Sequence, residues 1–201
     1  MKIESRAMGE YQTNCYIVHL PEGELIVDPG VGAVEWVLSK VETPIAILDT
    51  HGHFDHVWSV AELASKLEIP VYIHRDDAFL LAEDLFGMGM PTYGAPETVS
   101  DEKKIKLGGA DVVFRHFPGH TPGCCVIEIG DVWFSGDFLF RGSIGRWDLP
   151  YSDPSSMLSS LKRVSKFEGD YTLYPGHGGK TTLEREKRAL GYWIEELKRY
   201  S

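Results

Sequence analysis

The stretch Thr50-His51-Gly52-His53-Phe54-Asp55-His56 sets three imidazoles and a carboxylate within six residues, directly behind the apolar run of residues 45–48. Such a run, followed by a polar, glycine-containing segment, reads as a buried strand that delivers side chains at its end. Transition metals take nitrogen and oxygen ligands at about 2.0–2.2 Å. A rigid loop at a strand end can aim several such groups at one point. The bland alternative is a solvated polar loop, but eight histidines in 201 residues argue against so dense a cluster arising by accident. Partners elsewhere in the chain decide the matter.

Three places downstream offer them. His120 sits in Phe117-Pro118-Gly119-His120-Thr121-Pro122-Gly123, Asp137 closes Ser135-Gly136-Asp137, and His177 sits in Tyr174-Pro175-Gly176-His177-Gly178-Gly179. In each, an apolar strand runs into a turn of small residues that carries one metal-ligating side chain. Glycine there lets backbone pass close to an ion without a Cβ clash.

The spacing of apolar residues predicts strands over 2–8, 14–20 and 24–28, a helix over 33–41, a helix over 60–67 and a strand over 71–73. A helix over 76–85 follows, then the Gly-, Met- and Pro-rich segment 86–96, either a lid over a site or a packed connector. Strands are expected over 111–117, 125–129 and 132–134, the last two as a hairpin across Gly130-Asp131. Residues 138–151 read as irregular. Asp153-Pro154 opens a helix running to about 165, and a strand over 171–174 precedes a closing helix over 182–200. Two sets of strands, each followed by helices, imply one layered α/β domain.

The net charge of −10 disfavours a nucleic-acid partner. The start lacks a secretory signal and no apolar stretch is long enough to span a membrane. Three cysteines, Cys15, Cys124 and Cys125, imply no disulfide framework, and a cytoplasmic location is expected.

The ordered set H-G-H-F-D-H, P-G-H-T-P-G, S-G-D and P-G-H resembles the metallo-β-lactamase superfamily. Within it, the chain looks like the glyoxalase II (hydroxyacylglutathione hydrolase) branch in a short bacterial-type form. The resemblance runs from Asp28 in V-D-P-G to His177. It implies an αββα sandwich, two mixed β-sheets with helices on the outer faces, in a single domain over 1–201 without the C-terminal helical domain that binds glutathione. It implies two divalent transition-metal ions, zinc foremost with iron or manganese open. His51, His53 and His120 would hold one; Asp55, His56 and His177 would hold the second, with Asp137 bridging. Asp55 would also be catalytic, orienting a metal-bridging hydroxide or accepting its proton. The carboxylate at 137 separates the chain from true β-lactamases. Asp28 resembles an acidic residue that orients ligands from behind. In Gly142-Ser143-Ile144-Gly145-Arg146, Arg146 falls where the family sets a basic residue against glutathione; an ordinary surface arginine is the alternative.

The reaction implied is hydrolysis of a small-molecule thioester such as an S-2-hydroxyacylglutathione, since a thiolate leaves with little help from a general acid. The chain departs from the branch at Gly179, where a tyrosine is expected, and at Trp147, where related short hydrolases carry threonine. The rival is a persulfide dioxygenase of the same superfamily, holding one Fe(II) through His51, His120 and Asp137. A nuclease is disfavoured by the charge, and a non-catalytic metal module would need its open positions filled by protein. His19, His74 and His116 are read as structural, His74 being the nearest to an outer role, and Cys124 and Cys125 as buried hydrophobes. Oligomeric state is not readable.

Overall fold

In the computed structural model, which describes residues 1–85 and 87–200, β1 (Lys2–Met8) pairs antiparallel with β2 (Thr13–Leu20). Along β2, Cys15 and Ile17 face one way and Tyr16 and Val18 the other, and all four are buried. A strand covered on both faces must lie between layers. The same alternation recurs in β3 (Gly23–Val27) and β4 (Pro44–Leu48), where Leu25, Val27, Ala46 and Leu48 turn inward and Ile26 and Ile47 outward. The sheet continues in parallel through β5 (Val71–His74) to β6 (Glu97–Val99), giving six strands in sequence order.

The second sheet comprises β7 (Lys103–Leu107), β8 (Ala110–His116), β9 (Cys125–Ile129), β10 (Val132–Gly136), β13 (Thr172–Pro175) and β14 (Thr181–Thr182), in the order 14-13-10-9-8-7. Only β10 and β13 run parallel within it. Phe114, Ile127 and Phe134 meet Tyr16, Val27 and Leu48 of the first sheet in a core between the two sheets. Each such side chain contributes about 1.5–3 kcal/mol on full burial.

Helices cover both outer faces. Trp36 and Val37 of α1 (Val34–Leu38), Val57 of α2 (Phe54–Val57), Val60 and Leu63 of α3 (Val60–Leu67) and Leu81 of α4 (Ala78–Ala82) cover the first sheet. α5 (Pro154–Val164) and α6 (Leu183–Leu197) cover the second through Met157, Leu161, Leu183 and Leu190. α5 begins as expected: the Asp153 carboxylate accepts from Ser156 N at 2.8 Å, with Pro154 in the first turn. The layers are therefore αββα, as the resemblance implies.

Several elements differ from what the spacing predicts, α2 within the histidine string and the short β14 among them. The helix expected over 76–85 is a 3₁₀ turn at Arg75–Asp77 followed by α4 alone. The Asp84 carboxylate instead accepts from Met88 N and Gly89 N, a local turn that competes with helix. The apolar spacing predicts neither β6 nor β7: both are edge strands, β6 only three residues long and β7 carrying lysines at its exposed positions. The irregular stretch 138–151 contains a small hairpin, β11 (Leu139–Phe140) and β12 (Ser143–Ile144). Of the segment expected as lid or connector, Phe86 lies outside the described residues; Met90 is buried in the outer core and Tyr93 N donates to Leu81 O, so this part is a packed connector.

Candidate metal centre

His51 and His53 lie beyond the end of β4, whereas Asp55 and His56 already belong to α2, so the histidine string turns from loop to helix partway along. That change divides its ligands. Atoms of His51, His53 and His120 lie within 4.8 Å of one another, as do those of Asp55, His56 and His177, and those of His51, His56 and Asp137. His120 follows β8, Asp137 follows β10 and His177 follows β13, so four strand ends deliver the seven side chains. The Asp137 carboxylate lies between the two triads: Oδ1 is 3.3 Å from His56 Nε2, and Oδ2 is 3.4 Å from His120 Nε2 and 3.5 Å from His177 Nε2.

The hydrogen bonds behind the rings fix which nitrogen each presents. Thr50 Oγ1 donates its one proton to Asp28 Oδ2 at 2.7 Å, so it accepts from His51 Nδ1 at 3.1 Å, leaving the lone pair on His51 Nε2. His56 Nδ1 donates to Asp28 Oδ2 at 3.0 Å, His120 Nδ1 to Arg146 O at 2.8 Å and His177 Nδ1 to Tyr11 O at 3.1 Å. Each therefore turns Nε2 inward, and His53 turns Nδ1. Asp28 holds His56 directly and His51 through the Thr50 hydroxyl, from a left-handed backbone conformation (φ +49°) that aspartate tolerates better than most residues. It occupies the position behind the ligands that the resemblance implies.

Burial forces His51, His53 and His120 toward the neutral imidazole, with His53 lowered to about 3. That is the form that binds a metal. For His56 and His177 burial pulls the same way, but Asp55 and Asp137 overcome it; His56 is raised well above its usual value and His177 to about 9. Burial would raise the pKa of Asp55 and Asp137, yet His56 and the neighbouring imidazoles hold both carboxylates below their usual range. A proton and a divalent cation compete for the same atoms.

The chemistry of this donor set fits a metal. His51 Nε2, His56 Nε2 and Asp137 Oδ1 are buried with no hydrogen-bond partner among the described residues. Buried polar atoms are rarely left so. Backbone is cleared around them: a Cβ on Gly176 would stand 2.2 Å from Asp137 Oδ1, and one on Gly145 only 1.7 Å from Asp137 O.

Three residues unmarked by the sequence reading support the site. Thr13 Oγ1 donates to Asp55 Oδ2 at 2.6 Å. Asp77, fully buried, accepts from Gly52 N at 2.9 Å, Thr121 Oγ1 at 2.6 Å and Gly123 N at 2.6 Å, tying the loop of His51 and His53 to that of His120. Burial pushes its pKa to about 6 against those three donors. Glu186, also buried, accepts from Gly142 N at 2.7 Å and from the Thr181 hydroxyl, fastening the β11–β12 hairpin to β14. None carries a local motif; a lone Asp, Glu or Thr announces its contact only once folded. His74 stands apart from this centre, in a separate group whose ligand atoms on His74, Asp76 and His116 lie within 4.8 Å of one another, with its ring stacked on His116 at 3.9 Å. Cys124 and Cys125 are buried free thiols outside the cluster.

A cavity of about 540 Å³ opens on the cluster, lined on its apolar side by Tyr11, Phe54, Phe140, Ile144, Leu149 and Pro150. Arg146 lines it too, with Nε and Nη2 2.8 and 2.9 Å from the two carboxylate oxygens of Asp148.

An αββα sandwich with a buried His/Asp cluster at the strand ends defines a class of metal-binding, hydrolase-type proteins. The sequence profile of the Metallo-beta-lactamase superfamily matches residues 8–177, and the chain belongs to that superfamily. Among relatives, it is 32% identical to the probable metallo-hydrolase YqgX of Bacillus subtilis, covering 93% of this chain and 95% of the relative. It is also 32% identical to the hydroxyacylglutathione hydrolase GloC of Haemophilus influenzae, over 94% and 96% of the two chains. Among solved structures, TTHA1623 in a di-iron-bound form superposes with a TM-score of 0.78 at 38% identity, covering 92% and 97%. The B3 metallo-beta-lactamase BLEG-1 superposes with a TM-score of 0.86 at 31% identity, covering 96% and 99%. No helix among the described residues is long and apolar enough to cross a membrane.

Proposed function

We propose that the chain is a metal-dependent hydrolase with a dinuclear centre, cleaving a thioester. The observation that carries this reading is the Asp137 carboxylate, which reaches ligand atoms of both triads at 3.3–3.5 Å. His51, His53 and His120 would hold one divalent cation, and Asp55, His56 and His177 the other, with Asp137 shared. Such a pair supplies Lewis-acid polarisation of a carbonyl and an activated water. The chain's own groups do the rest. Asp55 Oδ2, which accepts from the Thr13 hydroxyl at 2.6 Å, would orient the attacking water and take its proton. Asp28 and Thr50 keep the rings of His51 and His56 aimed inward. The aromatic and aliphatic wall limits water at the reacting carbonyl, and Arg146 at the cavity edge is the candidate substrate-binding cation. The GloC relative supports a thioester, and the di-iron-bound TTHA1623 supports two metals.

The second reading, a single Fe(II) centre oxidising a persulfide, is favoured by one observation: His120 and Asp137 stand close enough, at 3.4 Å, to share one ion with His51. Metal analysis of the purified protein with parallel thioester and oxygen-uptake assays separates the two. Two metals per chain and thioester turnover support the hydrolase. One iron with oxygen consumption overturns it.

A further inference from the structure

We infer that the cavity beside the cluster selects its substrate by an apolar or aromatic arm rather than by the charges of a peptidic carrier. This rests on the thioester reading above and names the class of thioester. Six of the residues lining the cavity are Tyr11, Phe54, Phe140, Ile144, Leu149 and Pro150. They form a wall rather than scattered contacts: the Tyr11 and Phe54 rings meet edge to face at 5.2 Å, and Phe140 lies against the His177 ring at 6.0 Å. Tyr11 is more than half exposed on this rim. Its turn is nevertheless fixed, by Gln12 Nε2 donating to Gly9 O at 2.7 Å and by His177 Nδ1 donating to Tyr11 O. A large ring held open to solvent over a ligand-sized cavity is a surface prepared for a ligand.

The charge balance of the cavity points the same way. Apart from its histidines, Arg146 is the one cation among the described lining residues, and the bidentate pair with Asp148 already matches its guanidinium to a carboxylate. Asp55 and Asp137 are the other charged side chains of the lining. A carrier bearing several carboxylates would meet little uncommitted positive charge here beyond the cluster itself. A carbon chain would displace water from about 540 Å³ of largely apolar space.

The arm could sit on the acyl or the thiol side of the scissile bond, and a two-way series separates these. Straight-chain acyl thioesters of two to eight carbons on uncharged N-acetylcysteamine are compared with the same acyl groups on glutathione. Acetyl thioesters of alkanethiols of rising length form the second arm. We expect kcat/KM to rise about fourfold per added methylene along one arm, the value of burying one CH₂. Leu149→Ala and Tyr11→Ala should flatten the slope while the two-carbon substrate is still turned over. Equal kcat/KM along both arms, or preference for the glutathione thioester at every length, overturns the inference. Calorimetric binding of the same N-acetylcysteamine series to chelator-treated protein provides a readout without turnover. Affinity rising with chain length there, while metal-loaded protein hydrolyses no thioester of either series, would keep the apolar site and sink the thioester reading. Turnover without length dependence in either assay would do the reverse.

Discussion

His53 Nδ1 faces His120 Nε2 at 2.8 Å, two ring nitrogens from loops 67 residues apart. His120 has its proton committed on the other side, to Arg146 O at 2.8 Å. Burial holds both rings below their usual pKa, so His120 Nε2 presents a lone pair to which the neutral His53 ring donates from Nδ1, with His51 close by in the same triad. That one hydrogen is what a cation bound by the triad would replace, since a metal needs the lone pair of each ring.

Removing divalent cations should therefore loosen the fold as well as abolish activity. A cation bound at a thousand times its Kd stabilises by about 4 kcal/mol. For a domain of this size that corresponds to roughly 10 °C in Tm. Thermal unfolding before and after chelation, then after adding back zinc, iron or manganese, measures it. An unchanged Tm would count against a resident metal.

Asp137→Ala should lose more than about tenfold in metal affinity, since even groups behind the ligands are worth that much. Most activity should go with it. Equilibrium dialysis with two metals still bound per chain would remove Asp137 from the shared position.

Asp77 carries a pH-dependent share of stability. Its folded pKa, about 6, lies above the usual 3.8, so the folded chain holds that proton more tightly than the unfolded one. The contribution is complete below about pH 4 and is lost as pH rises through 6, a span of about 3 kcal/mol. Wild type should accordingly lose stability relative to Asp77→Asn between pH 4 and pH 7, measured by urea unfolding of chelated protein. A difference of the opposite slope would refute the assignment.

Glu186→Ala leaves Gly142 N–H and the Thr181 hydroxyl without their acceptor, at a cost of about 1–3 kcal/mol. Because the hairpin it fastens carries Phe140, Ser143 and Ile144 into the cavity wall, KM should rise several-fold more than kcat falls. Glu186→Gln keeps one acceptor and should recover part of both effects. Equal effects on KM and kcat in the two variants would show a purely structural role.

Much of the fold was legible because period and punctuation are local. Asp153-Pro154 announced α5, Gly130-Asp131 marked the β9–β10 turn, and residues 45–48 stood out as a buried strand. β7 was not legible, because an edge strand alternating lysine with half-buried residues owes its form to its partner β8. Helical spacing over 76–85 does not carry through, because the Asp84 carboxylate closes a local turn beyond α4.

The sequence alone determined the donor chemistry. A string as dense as His51–His56, followed by His120, Asp137 and His177 each after an apolar strand, named all seven candidate ligands from composition and order. Tertiary structure decided everything that depends on distance. It divided the string at the start of α2, set Asp137 between the triads, and made Thr13, Asp77 and Glu186 matter. It also showed Arg146 committed to Asp148 beside an apolar wall. The reason is physical: a ligand type is a property of one side chain, whereas a shared ion, a buried acceptor or a pocket wall exists only where separate segments meet.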